Sequence, residues 1–209
     1  MPELHSIRIL AVDDHDILRA GIAAVLATEA DMDVVAQAGN GREAIEQFRA
    51  HRPDITLMDL QMPLMGGTET IRAIRKEFPD ARIIVLTTHS GDAQATQALD
   101  AGASAYLLKS MLRRELAETI RRVHSGRRVV PPEIAVGLAE HRADSSLTER
   151  EIDVLRQIAS GNANKIVADK LSISEETVKS HVKSILSKLG ANDRTHAVTI
   201  AIKRGIIDV

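Results

Sequence analysis

The sequence predicts a doubly wound α/β domain, built on a five-stranded parallel sheet, followed by a smaller all-α domain of four helices. Three observations carry this. Five short runs rich in aliphatic and β-branched residues occur at Ile7–Val12, Val34–Ala38, Ile55–Met58, Arg82–Thr87 and Ala105–Leu108. Most are continuously apolar, as strands covered on both faces are. Segments of helical period alternate with them at Ile17–Thr28, Gly41–His51, Thr68–Phe78, Asp92–Ala101 and Met111–Ser125, and five βα units in series imply right-handed crossovers with helices on both faces. Beyond residue 147 strand signals stop. Helical patterns follow at Thr148–Ser160, Ala163–Leu171, Ser174–Leu189 and Asp193–Arg204, with Gly161, Gly190 and Gly205 as stops. The expected divisions are a first domain at 1–125, a linker at 126–146 with one short helix near Glu133–His141, and a second domain at 147–209.

Composition narrows the function. The 209 residues are 44% hydrophobic and 27% charged, enough apolar material for real cores. With no cysteine, disulfides, thiolate metal sites and cysteine nucleophiles are excluded. No apolar run approaches the roughly 20 residues of a bilayer span, and the start MPELHSIR lacks the features of an export signal, so no membrane association and a cytoplasmic location are expected. Formal charge is −4 over residues 1–126, 0 over 127–147 and +2 over 148–209, an acidic front and a mildly basic tail. The only aromatics are Phe48, Phe78 and Tyr106, too few for base-stacking recognition of single strands.

In a doubly wound sheet the carboxyl ends of the strands share one edge, where ligands bind. This chain puts Asp13-Asp14 after the first strand, Asp59 after the third, Thr87 at the end of the fourth and Lys109 after the fifth. Three clustered carboxylates need a counter-charge. A hard divalent cation such as Mg²⁺ supplies one and bridges to phosphate oxygens; Lys109 supplies another. A carboxylate there can act as nucleophile and form an aspartyl phosphate.

VDDH at 12–15, LMDLQMP at 57–63, VLTTH at 85–89 and GASAYLLK at 102–109 together resemble the receiver domain of bacterial two-component response regulators, a flavodoxin-like fold. The resemblance implies that a histidine kinase phosphorylates Asp59, and that Asp13, Asp14, Asp59 and the Gln61 main-chain carbonyl hold Mg²⁺. It also implies that Lys109 pairs with the phosphoryl group, that Thr87 swings to bond it, and that Tyr106 turns inward behind Thr87. Gln61 and His89 stand where such domains tune the phosphoryl lifetime.

The tail opens with Thr148 and Glu151 as a capping box, flanked by Leu147 and Ile152 as a hydrophobic staple. Ala163–Leu171, the turn Ser172-Ile173-Ser174, and a helix whose first turn carries Glu175-Glu176 form a helix-turn-helix pattern. The second of these helices sorts by face, with Val178, Val182, Ile185 and Leu189 on one side and Lys179, Ser180, Lys183 and Ser187 on the other. LTEREIDVLRQIASG at 147–161 and NKIVADKLSISEETVKSHVKSILSKLG at 164–190 are similar to the LuxR-type DNA-binding domain of NarL/FixJ-type regulators. By that resemblance Lys179, Ser180 and Lys183 face the groove, while Thr177, Lys165 and Lys188 are candidates for phosphate contact. An apolar stripe at Ala197, Ile200 and Ala201 is read as a dimer contact, with core packing as the equal alternative.

The expected function is a transcription regulator switched by Mg²⁺-dependent phosphorylation of Asp59. Phosphorylation promotes a homodimer that binds promoter DNA at inverted half-sites about 34 Å apart. It is not an enzyme beyond its own phosphoryl uptake and loss. Two competing readings are a Mg²⁺-dependent phosphohydrolase on the same acidic edge, and a DNA-binding protein controlled by a protein partner without phosphate.

Overall fold

The computed structural model describes residues 6–88, 92–130, 135 and 147–207. Apart from residue 135, which is helical, the segment of the helix expected near Glu133–His141 lies outside the described residues, as does the position of His89. The chain forms two compact units, one holding the sheet and the other the C-terminal helices.

In the first unit the order is β1 (Ile7–Val12), α1 (Asp16–Leu26), β2 (Met32–Ala38), α2 (Gly41–His51), β3 (Ile55–Asp59), α3 (Gly67–Glu77), β4 (Ile83–Thr87), α4 (Asp92–Asp100), β5 (Ala105–Leu108), a 3₁₀ turn (Lys109–Met111) and α5 (Leu112–His124). The sheet is ordered β2-β1-β3-β4-β5 and every adjacent pair is parallel. Every residue of β3 and β4 is buried, which is why these strands read as unbroken apolar runs. β2 starts two residues earlier than the run Val34–Ala38 suggests, because Ile7 pairs with Met32 and a register shift between Ile9 and Leu10 absorbs the offset. As an edge strand β2 buries fewer of its residues, so its apolar signal is diluted.

Past α5 the chain stays with the sheet. Val129 forms an isolated bridge to Ala105, accepting from the Tyr106 amide at 3.0 Å and donating to the Ser104 carbonyl at 3.3 Å. The segment thus covers part of the β5 edge, whose backbone groups would otherwise be unpaired. Ile9, Ala11, Ile55, Leu57, Ile84 and Leu86 from the sheet pack on Ile22, Leu26, Leu116 and Ile120 from α1 and α5. Phe48 and Phe78 stack at 4.9 Å, with the Arg52 guanidinium 4.1 Å from the Phe78 ring centre.

In the second unit the elements are α6 (Glu149–Ala159), α7 (Asn164–Leu171), α8 (Glu175–Leu189) and α9 (Arg194–Lys203), and no strand occurs among its described residues. Thr148 caps α6 with both halves of the capping box in place, and Leu147 and Ile152 pack against the core as the staple pattern predicts. The α7–α8 turn is set by Ser172 in the left-handed region at φ 54° and by the Ser174 hydroxyl accepting from the Thr177 amide at 3.1 Å. Val178, Ile185 and Leu189 of α8 are buried against Val154, Leu155 and Ile158 of α6 and Val167 of α7. Ala197 and Ala201 of α9 join the same core and Ile200 packs on it. The stripe read as a dimer contact therefore packs within the domain.

Gly67 lets α3 begin against the loop that carries Asp59. A Cβ there would stand 2.0 Å from the Asp59 carbonyl oxygen and 2.8 Å from Leu60 Cα, and neither backbone atom can yield cheaply. Gly67→Ala is expected to destabilise the first unit by about 2–4 kcal/mol, read from Tyr106 fluorescence during urea unfolding.

Candidate functional site

Parallel strands of equal sense bring their C-terminal ends to one edge, and the strand order reverses between β1 and β3. At that edge the structure gathers Asp13, Asp14, Asp59, Thr87 and Lys109. Lys109 Nζ lies 2.7 Å from Asp13 Oδ2 and 2.8 Å from Asp59 Oδ2. Both carboxylates are buried and the Lys109 side chain is only 13% exposed. Asp14, more open, faces His15 Nδ1 at 2.8 Å. The Gln61 amide donates to Asp59 Oδ1 at 3.3 Å, a contact that the sequence reading, concerned with the Gln61 carbonyl, does not contain.

The two buried acids differ electrostatically. Burial pushes Asp13 upward, yet the Lys109 ammonium, the His15 amide and the His15 ring together outweigh it and hold the carboxyl below its ordinary value. Burial lifts Asp59; Lys109 and the Gln61 amide offset this only in part, and the charge on Asp13 adds to it, so Asp59 stands above the usual range. Lys109 is pulled down by burial and up by its two partners, with a net rise. One ammonium serves both acids at nearly equal distance. What separates them is the burial of Asp59, the charge of Asp13 beside it and the contacts that His15 adds to Asp13.

Tyr106 is wholly buried in the inward position, its hydroxyl bonded to the Thr87 side chain. Burial pushes its ionisation upward, opposed by the bond to Thr87. One further residue braces the pocket. Arg19, on α1, donates from its guanidinium to the Asp13 carbonyl and to the Asp16 carboxylate. Its only sequence signal is its place one helical turn after Asp16.

The donor set suits a divalent cation. Ligand atoms from Asp13, Asp14, His15 and Asp59 lie within 4.8 Å of one another, and carboxylate oxygens are hard ligands. Asp13 Oδ2 is fully buried and faces the Lys109 ammonium at 2.7 Å.

In the second unit Thr177, Lys179, Ser180 and Lys183 are exposed on α8 and Lys165 on α7. Lys179 pairs with Glu176 one turn earlier at 3.2 Å. Lys188, read as a phosphate contact, is engaged elsewhere: its Nζ lies 2.8 Å from Glu151 Oε2. Glu151 is 4% exposed. It also accepts from the Thr148 amide at 2.7 Å, the Thr148 hydroxyl at 3.0 Å and the Ser184 hydroxyl at 2.6 Å. Capping explains the first two contacts. The other two tie α6 to α8, and no local pattern announces them.

A doubly wound sheet with this acidic edge, joined to a helix-turn-helix unit, defines a response regulator. Residues 9–121 match the family described as response regulator receiver domain, and residues 145–201 the family described as bacterial regulatory proteins, luxR family. Among curated relatives, the transcriptional regulatory protein LnrK of Bacillus subtilis is 39% identical over 216 residues, covering 96% of this chain and 98% of its own length. Response regulator protein VraR of Staphylococcus aureus is 39% identical over 207 residues, covering 97% and 99%. Among solved structures, the response regulator ChrA of a heme-sensing two-component system is 36% identical, covering 97% of this chain and 99% of its own, with TM-score 0.57. RcsB of Salmonella enterica serovar Typhimurium, bound to a promoter in the presence of the phosphomimetic BeF₃⁻, is 26% identical, covering 94% and 98%, with TM-score 0.71. The chain belongs to the LuxR-family response regulators, phosphorylation-regulated transcription regulators with a receiver and a LuxR-type DNA-binding domain.

Glu151 gives the second unit a pH dependence. Burial pushes its carboxyl up, but Lys188, Ser184 and Thr148 outweigh this and bring it from 4.5 down to about 2. A depressed acid contributes stability that is present above its unfolded value and lost as pH falls from about 4.5 toward about 2. The contribution is roughly 3 kcal/mol. Hydrogen exchange at α8 amides of the full chain should show that loss. Glu151→Gln should be weaker at neutral pH and converge with the parent near the acid limit; parallel pH profiles would contradict the assignment.

Proposed function

We propose that a sensor histidine kinase phosphorylates this regulator on Asp59 in a Mg²⁺-dependent step, and that phosphorylation promotes dimerisation and promoter binding at inverted half-sites. The observation that carries the reading is the Lys109 ammonium within 2.8 Å of both Asp13 and Asp59, in a pocket that Asp14 and Thr87 complete.

An Asp59 carboxylate oxygen attacks the phosphorus of a phosphohistidine. A P–O bond forms as the P–N bond breaks, and the leaving imidazole takes up a proton, so the product is an acyl phosphate. Asp13, Asp14, Asp59 and the Gln61 carbonyl are the residues that would hold Mg²⁺, and the ion would supply positive charge against that of the phosphoryl oxygens. Lys109 exchanges its contact with Asp59 for one with the phosphoryl group. The Thr87 hydroxyl turns to donate to a phosphoryl oxygen, which changes its bond with Tyr106 and makes the Thr87–Tyr106 pair the switch element. No external substrate is turned over: the receiver takes up and loses one phosphoryl group per chain.

On DNA, Lys179, Ser180 and Lys183 read the major groove, and Thr177 and Lys165 approach phosphates. Lys188 is assigned to Glu151 instead of to phosphate. With Ala197 and Ala201 in the core, a dimer contact on α9 falls to outward residues such as Ile202, 38% exposed. The promoter-bound RcsB structure supports the DNA reading. No helix among the described residues is long and apolar enough to cross a membrane; the cytoplasmic location we propose rests on the DNA-binding unit.

Two outcomes test this reading. Asp59→Asn should abolish the dimerisation that acetyl phosphate and Mg²⁺ induce, measured by light scattering; an unchanged dimer would refute the switch. Lys183→Ala should lower the salt slope of promoter binding by about one, and Lys188→Ala should leave the slope unchanged.

A further inference from the structure

His15 stands at the N-cap of α1, yet its side chain makes no capping hydrogen bond. The ring turns to the acids that precede it. Nδ1 lies 2.8 Å from Asp14 Oδ1 and 3.2 Å from Asp13 Oδ1. The His15 amide donates to Asp13 Oδ1 at 2.9 Å, which fixes the backbone so that ring and carboxylates point the same way. The ring is 71% exposed, so its approach to the acids is not forced by packing.

The geometry points to His15 as a further ligand of the cation pocket, beside Asp13, Asp14, Asp59 and the Gln61 carbonyl, making it a mixed nitrogen–oxygen site that selects a first-row transition divalent ion over Mg²⁺. This rests on the reading of the pocket under Proposed function and deepens it. Ligands on opposite sides of an ion with bonds of about 2.1 Å are about 4.2 Å apart. The set of Asp13, Asp14, His15 and Asp59 spans 4.8 Å, so a contraction of a few tenths of an ångström closes it on one ion. His15 faces Asp13 Oδ1, while Lys109 holds Asp13 Oδ2 at 2.7 Å, so the ring and the ammonium approach that carboxylate through different oxygens.

Chemistry then decides which ion gains. Mg²⁺ prefers oxygen and keeps its waters, so it gains little from an imidazole. Mn²⁺, Ni²⁺ and Zn²⁺ accept imidazole nitrogen, with affinity rising along that part of the first row up to copper. Coordination through Nδ1 would use the lone pair of that nitrogen, with the ring proton on Nε2. The ion present at phosphoryl transfer then follows the supply of transition metal as well as that of Mg²⁺.

The full-length chain with Mn²⁺ is examined by electron spin-echo envelope modulation, alongside His15→Gln and Asp13→Asn. Affinities for Mg²⁺ and Ni²⁺ are measured by competition against Mn²⁺, and Asp13→Asn reports binding at other histidines. Modulation from a directly bound ¹⁴N is expected in the parent and lost in His15→Gln. The Ni²⁺-to-Mg²⁺ affinity ratio should fall about tenfold or more in that variant, with Mg²⁺ affinity changed less than about twofold. Asp13-dependent Mn²⁺ binding without nitrogen modulation, or an unchanged ratio in His15→Gln, overturns the inference and leaves the pocket intact. No Asp13-dependent binding of any divalent ion overturns the pocket and the inference together.

Discussion

A single ammonium group, Lys109 Nζ, bridges two buried carboxylates at the edge of the sheet, and the first unit is organised around keeping it there. Two buried acids with one cation leave an excess of negative charge, and a buried charge is tolerated only where partners answer it. Asp13 is answered by Lys109 and His15, and its ionised form is favoured. Asp59 has Lys109 and the Gln61 amide, which do not fully offset burial and the charge on Asp13. That imbalance suits a pocket meant to receive a cation and a phosphoryl group, both of which change its charge. The scaffold is stiff where this matters. β3 and β4 are buried along their whole length, α3 starts against the Asp59 backbone because Gly67 has no Cβ, and Arg19 grips the Asp13 carbonyl.

The second unit solves a related problem with the signs rearranged. Glu151 is buried at the start of α6 and satisfied by Thr148, Ser184 and Lys188. A residue that a capping pattern explains locally also anchors α8 through contacts 33 and 37 positions away in the chain. It therefore holds the face bearing Lys179, Ser180 and Lys183 in register with the rest of the unit. It also pairs with Lys188, so the lysines of α8 are not equivalent.

Most of the architecture was legible because period and burial are linked: a strand buried on both faces must be apolar throughout, and a helix packed on one face must show a stripe. Legibility fades where that link weakens. Met32 and Asp33 belong to β2, but an edge strand with one solvated flank carries a mixed pattern. Val129 covers β5 through backbone bonds, which leave no mark on side-chain type. In α9 the small residues Ala197 and Ala201 suit a core and a helix–helix contact equally, and only packing could separate the two.

From residue types alone come the order of elements, the acids, hydroxyl and lysine at strand ends, the capping box and the two-faced α8, because each depends on neighbours within a few positions or on the period of an element. Tertiary structure decided how the charges are shared: that Lys109 sits between Asp13 and Asp59, that His15 turns to the acids instead of capping α1, and that Lys188 answers Glu151. Electrostatic pairing depends on distance and burial in three dimensions, and sequence separation carries no measure of either.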